Sequence, residues 1–563
     1  MNFLDRLEQI NPSPDGRRWI FVPEDQLTDR LGPLADTDAS EVGIVLIESV
    51  WKARRRPWHK QRLLTVWANQ RHFALEQAER GVAVHFERSE LPFGPTLAGI
   101  AAARGPLIMM EAAERELRAD LEGLLEDGSL EVFPHEGWLS TPEDFVQGAG
   151  EAAPWRMDRF YRHMRKTTGI LMEAGKPVGG KFSFDAENRE PWKGEPAAPA
   201  PPTFPRDEIK DEVAAWIESD FDLHPGRLDV DAVAATADDA RNAWAWAVDN
   251  ALPIFGPYED AMSTRSATLF HTRLSTLVNL HRLLPRDVVE GAVALDIPLA
   301  GKEGFVRQIL GWREFVHHVH ESTDGFRVLP DGEPLVLDGP GDGGWHSWTG
   351  EAWESLRADD EPDGGACPNL FGNETPLPPA YWGETSGLAC LDHVVADVWR
   401  DGWSHHITRL MVLCNLATLL DFDPRELTDW FWIAYTDAWD WVVEPNVLGM
   451  GTYATGGVMT TKPYVSGTPY LHRMSDYCGT CEFHPKKNCP ISSLYWDFLD
   501  RHQEHFEGNQ RMAMPLRSSA KRADTKKDED RRVFTHVREM LAAGEPLTPS
   551  SVEAARKGQE TFG

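Results

Sequence analysis

From about residue 19 to about residue 140, apolar positions follow two alternating rhythms. Short runs rich in Val, Ile, Leu and Phe, namely RWIFVPEDQL, EVGIVLIES, VAVHFERS, PLIMMEAA and SLEVFPHEGW, are separated by amphipathic stretches such as Trp58 to Arg80. Strand-length runs alternating with helical patterns predict a Rossmann-like α/β domain, with a parallel sheet covered by helices on both faces. Ligands of such sheets bind at the carboxyl ends of the strands. Asp25, Gln26 and Glu48 fall at two of those ends. No glycine-rich phosphate fingerprint accompanies them, so a dinucleotide clasp is not expected, and polar residues there are often only turn residues.

Between Pro154 and Arg189 the rhythm changes. Arg159, Arg162, His163 and Lys166 recur at helical spacing, and the loop GKPVGGKFSFDAENRE follows. Such a stretch is either a solvated face or a surface that tracks a phosphate backbone. GEPAAPAPPTFPRDE is a Pro/Ala linker that places a domain boundary near residue 205. The expected organisation is 1–145 for the α/β domain, 146–207 for the basic helix, loop and linker, 208–518 for a large all-α domain, and 519–563 for a charged tail.

In the helical part, the runs Ala261 to Leu284 and Gly304 to His320 read as long amphipathic helices. Residues 321–376, rich in Gly, Pro and acid, read as an insertion. A helix following Cys390 carries Val395, Trp399, Ile407, Leu410, Cys414 and Ala417, with Gly402 bending or interrupting it. The next helix has Asp423 as N-cap, Pro424 at its first position and Glu426 completing a capping box. Its apolar stripe is Leu427, Trp430, Phe431, Ala434, Ala438 and Trp441, and such stripes are more often core than cofactor lining.

Composition narrows the class. At 563 residues and 41% hydrophobic content the chain is long enough to enclose a large cofactor. No run approaches the ~20 apolar residues of a membrane span, and MNFLDRLEQINPSPDGRRW lacks an export signal, so a cytoplasmic protein is expected. The net charge of -32 requires that any contact with DNA use a local basic face on an acidic body.

The chemistry concentrates between Cys390 and Cys489. Cys478-x-x-Cys481-x7-Cys489, followed by Pro490, suits a metal centre in a reducing compartment. Zinc and a [4Fe–4S] cluster both accept four thiolates, and the Cys-Pro ending leans towards the cluster. Cys390, ahead of a helix, is the fourth candidate ligand; Cys367 is its rival, and Cys414 sits on an apolar stripe. Adjacent His405 and His406 point to different faces of a helix, and an imidazole there can give a proton to a reacting base near neutral pH. Tyr464 and Tyr470 lie in a Gly/Pro-containing segment that could pack against that base.

Taken together and in order, GWREF, SHHITRLMV, DAWDWVVEPNVLGM, KPYVSG, RMSDYC-x-x-C and the loop TGILMEAGKPVGGKFSFDAENR resemble the iron–sulfur bacterial cryptochrome and photolyase family. Its characterised repair enzymes are prokaryotic (6-4) photolyases. The resemblance implies an α/β domain holding a lumazine-type antenna, a helical domain holding FAD, and a [4Fe–4S] cluster on Cys390, Cys478, Cys481 and Cys489. It places His405 and His406, with Tyr464 and Tyr470, against a lesion in UV-damaged DNA, and Trp382 and Trp430 on an electron route to the flavin. Arg313, Asp437 and Asn446 would surround FAD, and Asp25, Gln26 and Glu48 the antenna.

Phe431 stands where the family commonly has Tyr, the 321–376 insertion is long, and the Cys481–Cys489 spacer is short. The implied activity is light-driven (6-4) photoproduct repair by a monomer without membrane attachment. The alternatives are a non-repairing photoreceptor of the same family and a zinc-stabilised nucleic-acid-binding module.

Overall fold

The computed structural model describes residues 2–335 and 365–559. All five expected strands form, as β1 (Arg18–Phe21), β2 (Val42–Ser49), β3 (Ala83–Ser89), β4 (Leu107–Met110) and β5 (Leu130–Phe133). They pair in parallel in the order β3-β2-β1-β4-β5. Every residue of β2 is buried, as a strand covered on both faces requires. Alternation divides its side chains: Val45 and Ile47 pack with Trp19, Leu97 and Leu121 on one face. Ile44 and Leu46 face the other way, into the core shared with the helical half. At Gly43 a Cβ would lie 2.7 Å from the Trp19 ring, so the close packing of β1 on β2 needs glycine.

Helix Lys60–Glu79 lies between the sheet and the helical half and is buried along nearly its whole length. Beyond the linker, Asp207 caps helix Glu208–Asp220 through the N–H groups of Ile209 and Lys210. Among the described residues, no helix is long and apolar enough to cross a membrane.

Four sequence expectations need correction. Ala261 to Leu284 is not a helix: only Ser275–Asn279 is helical, and Leu269, Arg273 and His281 have left-handed backbone. Its hydroxyls bond elsewhere, Ser263 Oγ to Asp476 and Ser266 Oγ to the Leu269 N–H, and so compete with helix formation. Gly402, at φ 60°, interrupts the helix around Cys390 as expected, confining it to Ala389–Asp401. A new helix starts at His406 with His405 as its extended N-cap, so the two imidazoles are not on two faces of one helix.

Helix Pro424–Ala434 is capped by Asp423 as expected. The Asp423 N–H, however, donates to the Thr375 carbonyl and the Glu426 carboxylate accepts from the Leu377 N–H, so the capping box is replaced by long-range bonds. The helix ends before Ala438, and Trp441 belongs to the separate Asp440–Glu444. Finally, the charged tail folds into Asp524–Ala542 and Pro549–Arg556, with Val533, Phe534, Val537, Leu541 and Val552 buried in the main core.

Gly304 to His320 is helical throughout, within a helical run from Leu299 to Ser322 that widens to a π-helical stretch at Arg307–Arg313. Residues 336–364 of the expected insertion lie outside the described residues. Its flanks close on the fold through bridges Val328–Pro334 and Thr375–Phe422.

Candidate active site and thiol cluster

A cavity of about 330 Å³ opens in the helical half, within the range of small-molecule sites. Three π-helical stretches border it: Arg307–Arg313 contributes Gln308, Ile309, Trp312 and Arg313; Arg409–Cys414 contributes Arg409, Leu410 and Cys414; Pro445–Gly451 contributes Asn446, Val447 and Met450. A π turn widens the helix by a residue and turns side chains and backbone towards a site.

Polar groups in this largely apolar wall are held firmly. Asp437 accepts from both Nη atoms of Arg409, at 3.0 and 2.9 Å, and from Ser275 Oγ at 2.7 Å. Its carbonyl accepts from Asn279 Nδ2. The Asn446 side chain donates to the Val442 carbonyl at 2.8 Å. Arg313 bonds Glu314 at 2.9 Å, with its guanidinium 4.2 Å from the Trp138 ring centroid and 5.3 Å from that of Trp441. Its Nε and Nη2 are buried without a protein partner, as are Trp441 Nε1, His405 Nδ1 and His271 Nε2, all on cavity-lining residues. Buried polar atoms left open in this way fit a polar ligand.

His405 and His406 line the cavity together with His271, which the sequence reading missed. His271 stacks on His405 with centroids 4.4 Å apart and planes within 3°, and meets His406 edge-on at 5.4 Å. Burial, then His406 and Arg409, holds His405 well below the ordinary imidazole range. Burial, then Arg409 and Arg307, pushes His406 down to about 4, so both are neutral at pH 7.

Phe431 lies on the cavity wall, and behind it the indoles form a connected track. Trp430 meets Phe431 at 5.3 Å and Trp399 at 5.7 Å, and Trp399 stacks on Trp382 at 5.4 Å and 19°. The Nε1–H groups of Trp399 and Trp430 both donate to the Tyr381 carbonyl, which locks their spacing. The sequence reading named Trp382 and Trp430 and left Trp399 as core.

Cys390, Cys478, Cys481 and Cys489 line one small apolar cavity with Leu388, Leu471, Tyr477, Phe483 and Ile491. Burial, then the other three sulfurs, raises the Cys390 thiol well above its usual value, and burial lifts Cys478 to about 11. Cys367 and Cys414 lie elsewhere: Cys414 is on the large cavity, and Cys367 is buried outside the thiol group. Among the described residues no group of three or more His, Cys, Asp or Glu is placed to hold a metal ion.

The remaining expected residues are dispersed. Glu48 is fully buried, its carboxylate taken by Arg71 at 2.6 and 3.1 Å and by Arg88 at 3.2 Å. Gln26 Nε2 donates to the Glu111 carbonyl, and burial raises the Asp25 carboxyl to about 7. Tyr464 and Tyr470 are not on the cavity wall. Tyr464 is half-buried and shares Asp185 and Arg307 with His406 as charged neighbours. Tyr470 sits beside Asp260, whose carboxyl burial raises to about 6.

The sequence matches the family model for deoxyribodipyrimidine photo-lyase-related proteins over residues 20–232. It is 32% identical over 523 residues to a (6-4) photolyase of Agrobacterium fabrum, covering 90% of this chain and 96% of that one. An uncharacterized protein of Acanthamoeba polyphaga mimivirus is 33% identical over 102 residues, 17% of this chain and 76% of that one. The fold matches the crystal structure of a bacterial class III photolyase from Agrobacterium tumefaciens with a TM-score of 0.50 at 16% identity, over 97% of this chain and 98% of that one. The five-stranded parallel sheet, the helical second half and the near full-length sequence match thus agree, and the chain belongs to the photolyase family, among the photolyase-related proteins.

Proposed function

We propose that the protein repairs (6-4) pyrimidine photoproducts in UV-damaged DNA with light, using FAD held in the large cavity. The observation that carries this reading is the imidazole wall of His405 and His406 on a cavity whose buried donors on Arg313 and Trp441 have no protein partner. The 32% identity to a (6-4) photolyase supports the same substrate. Arg313, Asn446 and the Asp437–Arg409 pair would hold the cofactor. Reduced FAD, when bound and excited, supplies one electron to the lesion.

The chain's own residues do the rest. A damaged base flips out of the duplex more cheaply than an intact one, and the cavity receives it. Reversal of a (6-4) lesion moves an oxygen-bearing group back between bases, so it needs a proton donor, whereas cyclobutane dimers split by electron transfer alone. His406, half-buried at the cavity, is that donor; because burial keeps it neutral, the incoming charge of the lesion must recruit its proton. Tyr464 and Tyr470 would touch the flanking DNA at the rim. Arg159, Arg162 and Lys166, exposed on helix Met157–Thr168, would meet phosphates.

Trp382, Trp399 and Trp430 would return electrons from the surface, since Phe431 is a poor redox carrier. For the four cysteines we propose a [4Fe–4S] cluster. The single apolar cavity that the four thiols share, and the likeness of RMSDYC-x-x-C to the iron–sulfur branch of the family, support it. A lumazine-type antenna would rest on Asp25 and Gln26, because Glu48 is sealed behind its arginines. A cytoplasmic monomer completes the reading.

The test is an oligonucleotide carrying one (6-4) lesion, incubated with the purified protein under blue light and in the dark. Repair in the light alone supports the proposal. The charge of -32 favours the alternative of a photoreceptor that binds DNA poorly. That reading predicts flavin photoreduction with the lesion left intact.

A further inference from the structure

His271 is a buried, cavity-lining imidazole for which the repair reading has no use. It is 7% exposed, and its ring is fixed on two sides: Phe255 meets it edge-on at 5.5 Å and His405 covers its face. It sits in the segment 261–274, which the sequence pattern reads as helix and which instead loops around the cavity. Its Nε2 is buried at the cavity wall with no protein partner. His405 Nδ1 is unpartnered in the same way. Two buried nitrogens without partners, on rings stacked within 3° of parallel, are more than packing requires, since a phenylalanine would fill the same space.

We propose that His271 is a positioning residue of the proton-transfer site, which holds His405 and His406 in register and makes the three imidazoles share a single proton. The charges facing the trio explain why one proton is the limit. Arg409 and Arg307 stand near it, Asp185 opposes them at His406, and the Glu259 backbone lies beside His271. Asp437 is already claimed by Arg409. Two imidazolium rings 4.4 to 5.4 Å apart in this enclosure would repel strongly, so a second proton is refused until the first has left. The unpartnered nitrogens of His271 and His405 give that one proton alternative seats, and once it has been given up at His406 the emptied trio takes up another from solvent before the next turnover.

This inference rests on the repair reading for its purpose but not for its test. Histidines of the full-length, flavin-loaded protein are labelled with ¹⁵N and titrated by NMR, with resonances assigned through His271→Phe, His405→Asn and His406→Asn. The expected result is one common midpoint for all three rings and a total uptake of one proton. In His271→Phe, which keeps the stacked ring, the remaining pair titrates at least about half a pH unit lower. His271→Gln, which returns an acceptor oxygen, brings the midpoint back towards the wild-type value and provides a second variant should the phenylalanine not fold. A His271 resonance that stays still while the pair titrates, or independent uptake of three protons, overturns the proposal. A wild type that shows the common midpoint yet repairs nothing in the light would count against the repair reading alone.

Discussion

At the scale of single residues, buried side chains carry the account through the partners they have and lack. Asp437 is the tie between the Arg409–Cys414 turn, the loop before Asp440 and Ser275, so Asp437→Asn should leave Arg409 facing the cavity without its counter-charge. We expect a loss of about 3 kcal/mol in urea unfolding, at the low end for a broken buried pair because Arg409 keeps 21% of its side chain exposed. FAD content of the purified variant, read from absorbance, should fall with it. The cysteines, His405 and His406, Arg313 and Asn446 were legible in the sequence because spacing and motif order single them out. His271 and Trp399 were not. Each sits in a stretch whose periodicity offers a sufficient reason for an aromatic or polar residue, and only the third dimension shows the ring lying against it.

At the scale of elements, five strands could be read in advance because their apolar runs are short, β-branched and separated by helix-length stretches. The three π-helical stretches around the cavity could not, because one inserted residue in a turn leaves no signature in a pattern of period 3.6. The C-terminal segment was misread for a related reason: charges of both signs surround Val533, Phe534, Val537 and Leu541, and the narrow apolar stripe is lost in them. That stripe packs on helix Ile491–Arg501, which begins two residues after Cys489, and the Leu547 N–H donates to the carbonyl of Ser386, two residues before Leu388 of the thiol cavity. The tail therefore braces both segments that carry the cysteines. Phe534→Ala should cost about 3–5 kcal/mol in denaturant unfolding, as for other buried phenylalanines. The same substitution should lower iron content measured by elemental analysis; unchanged iron would show that the thiol segments hold their place unaided.

At the scale of the whole molecule, the dominant facts are the acidic surface and the neutral histidines within. Burial pushes His59, His224, His281, His318 and His406 each down to about 4. Between pH 6.5 and 4 the unfolded chain therefore binds protons that the folded chain refuses, and stability falls as pH falls through that window. Asp25, Asp260 and Glu114, raised by burial to about 7, about 6 and about 8, act in the opposite sense, three groups against the five histidines. The melting temperature should drop on going from pH 7 to pH 5, as followed by circular dichroism; a rise would show that the carboxyl groups dominate.

The central claim puts two transfers at one cavity: a bound flavin would supply the electron and His406 the proton. The most direct measurement is blue-light repair of a (6-4) oligonucleotide by wild type and His406→Asn at matched flavin content. Wild type should restore the intact bases, and the variant should fall by at least about 10²-fold while its flavin still photoreduces. Equal repair by the two proteins would contradict the claim.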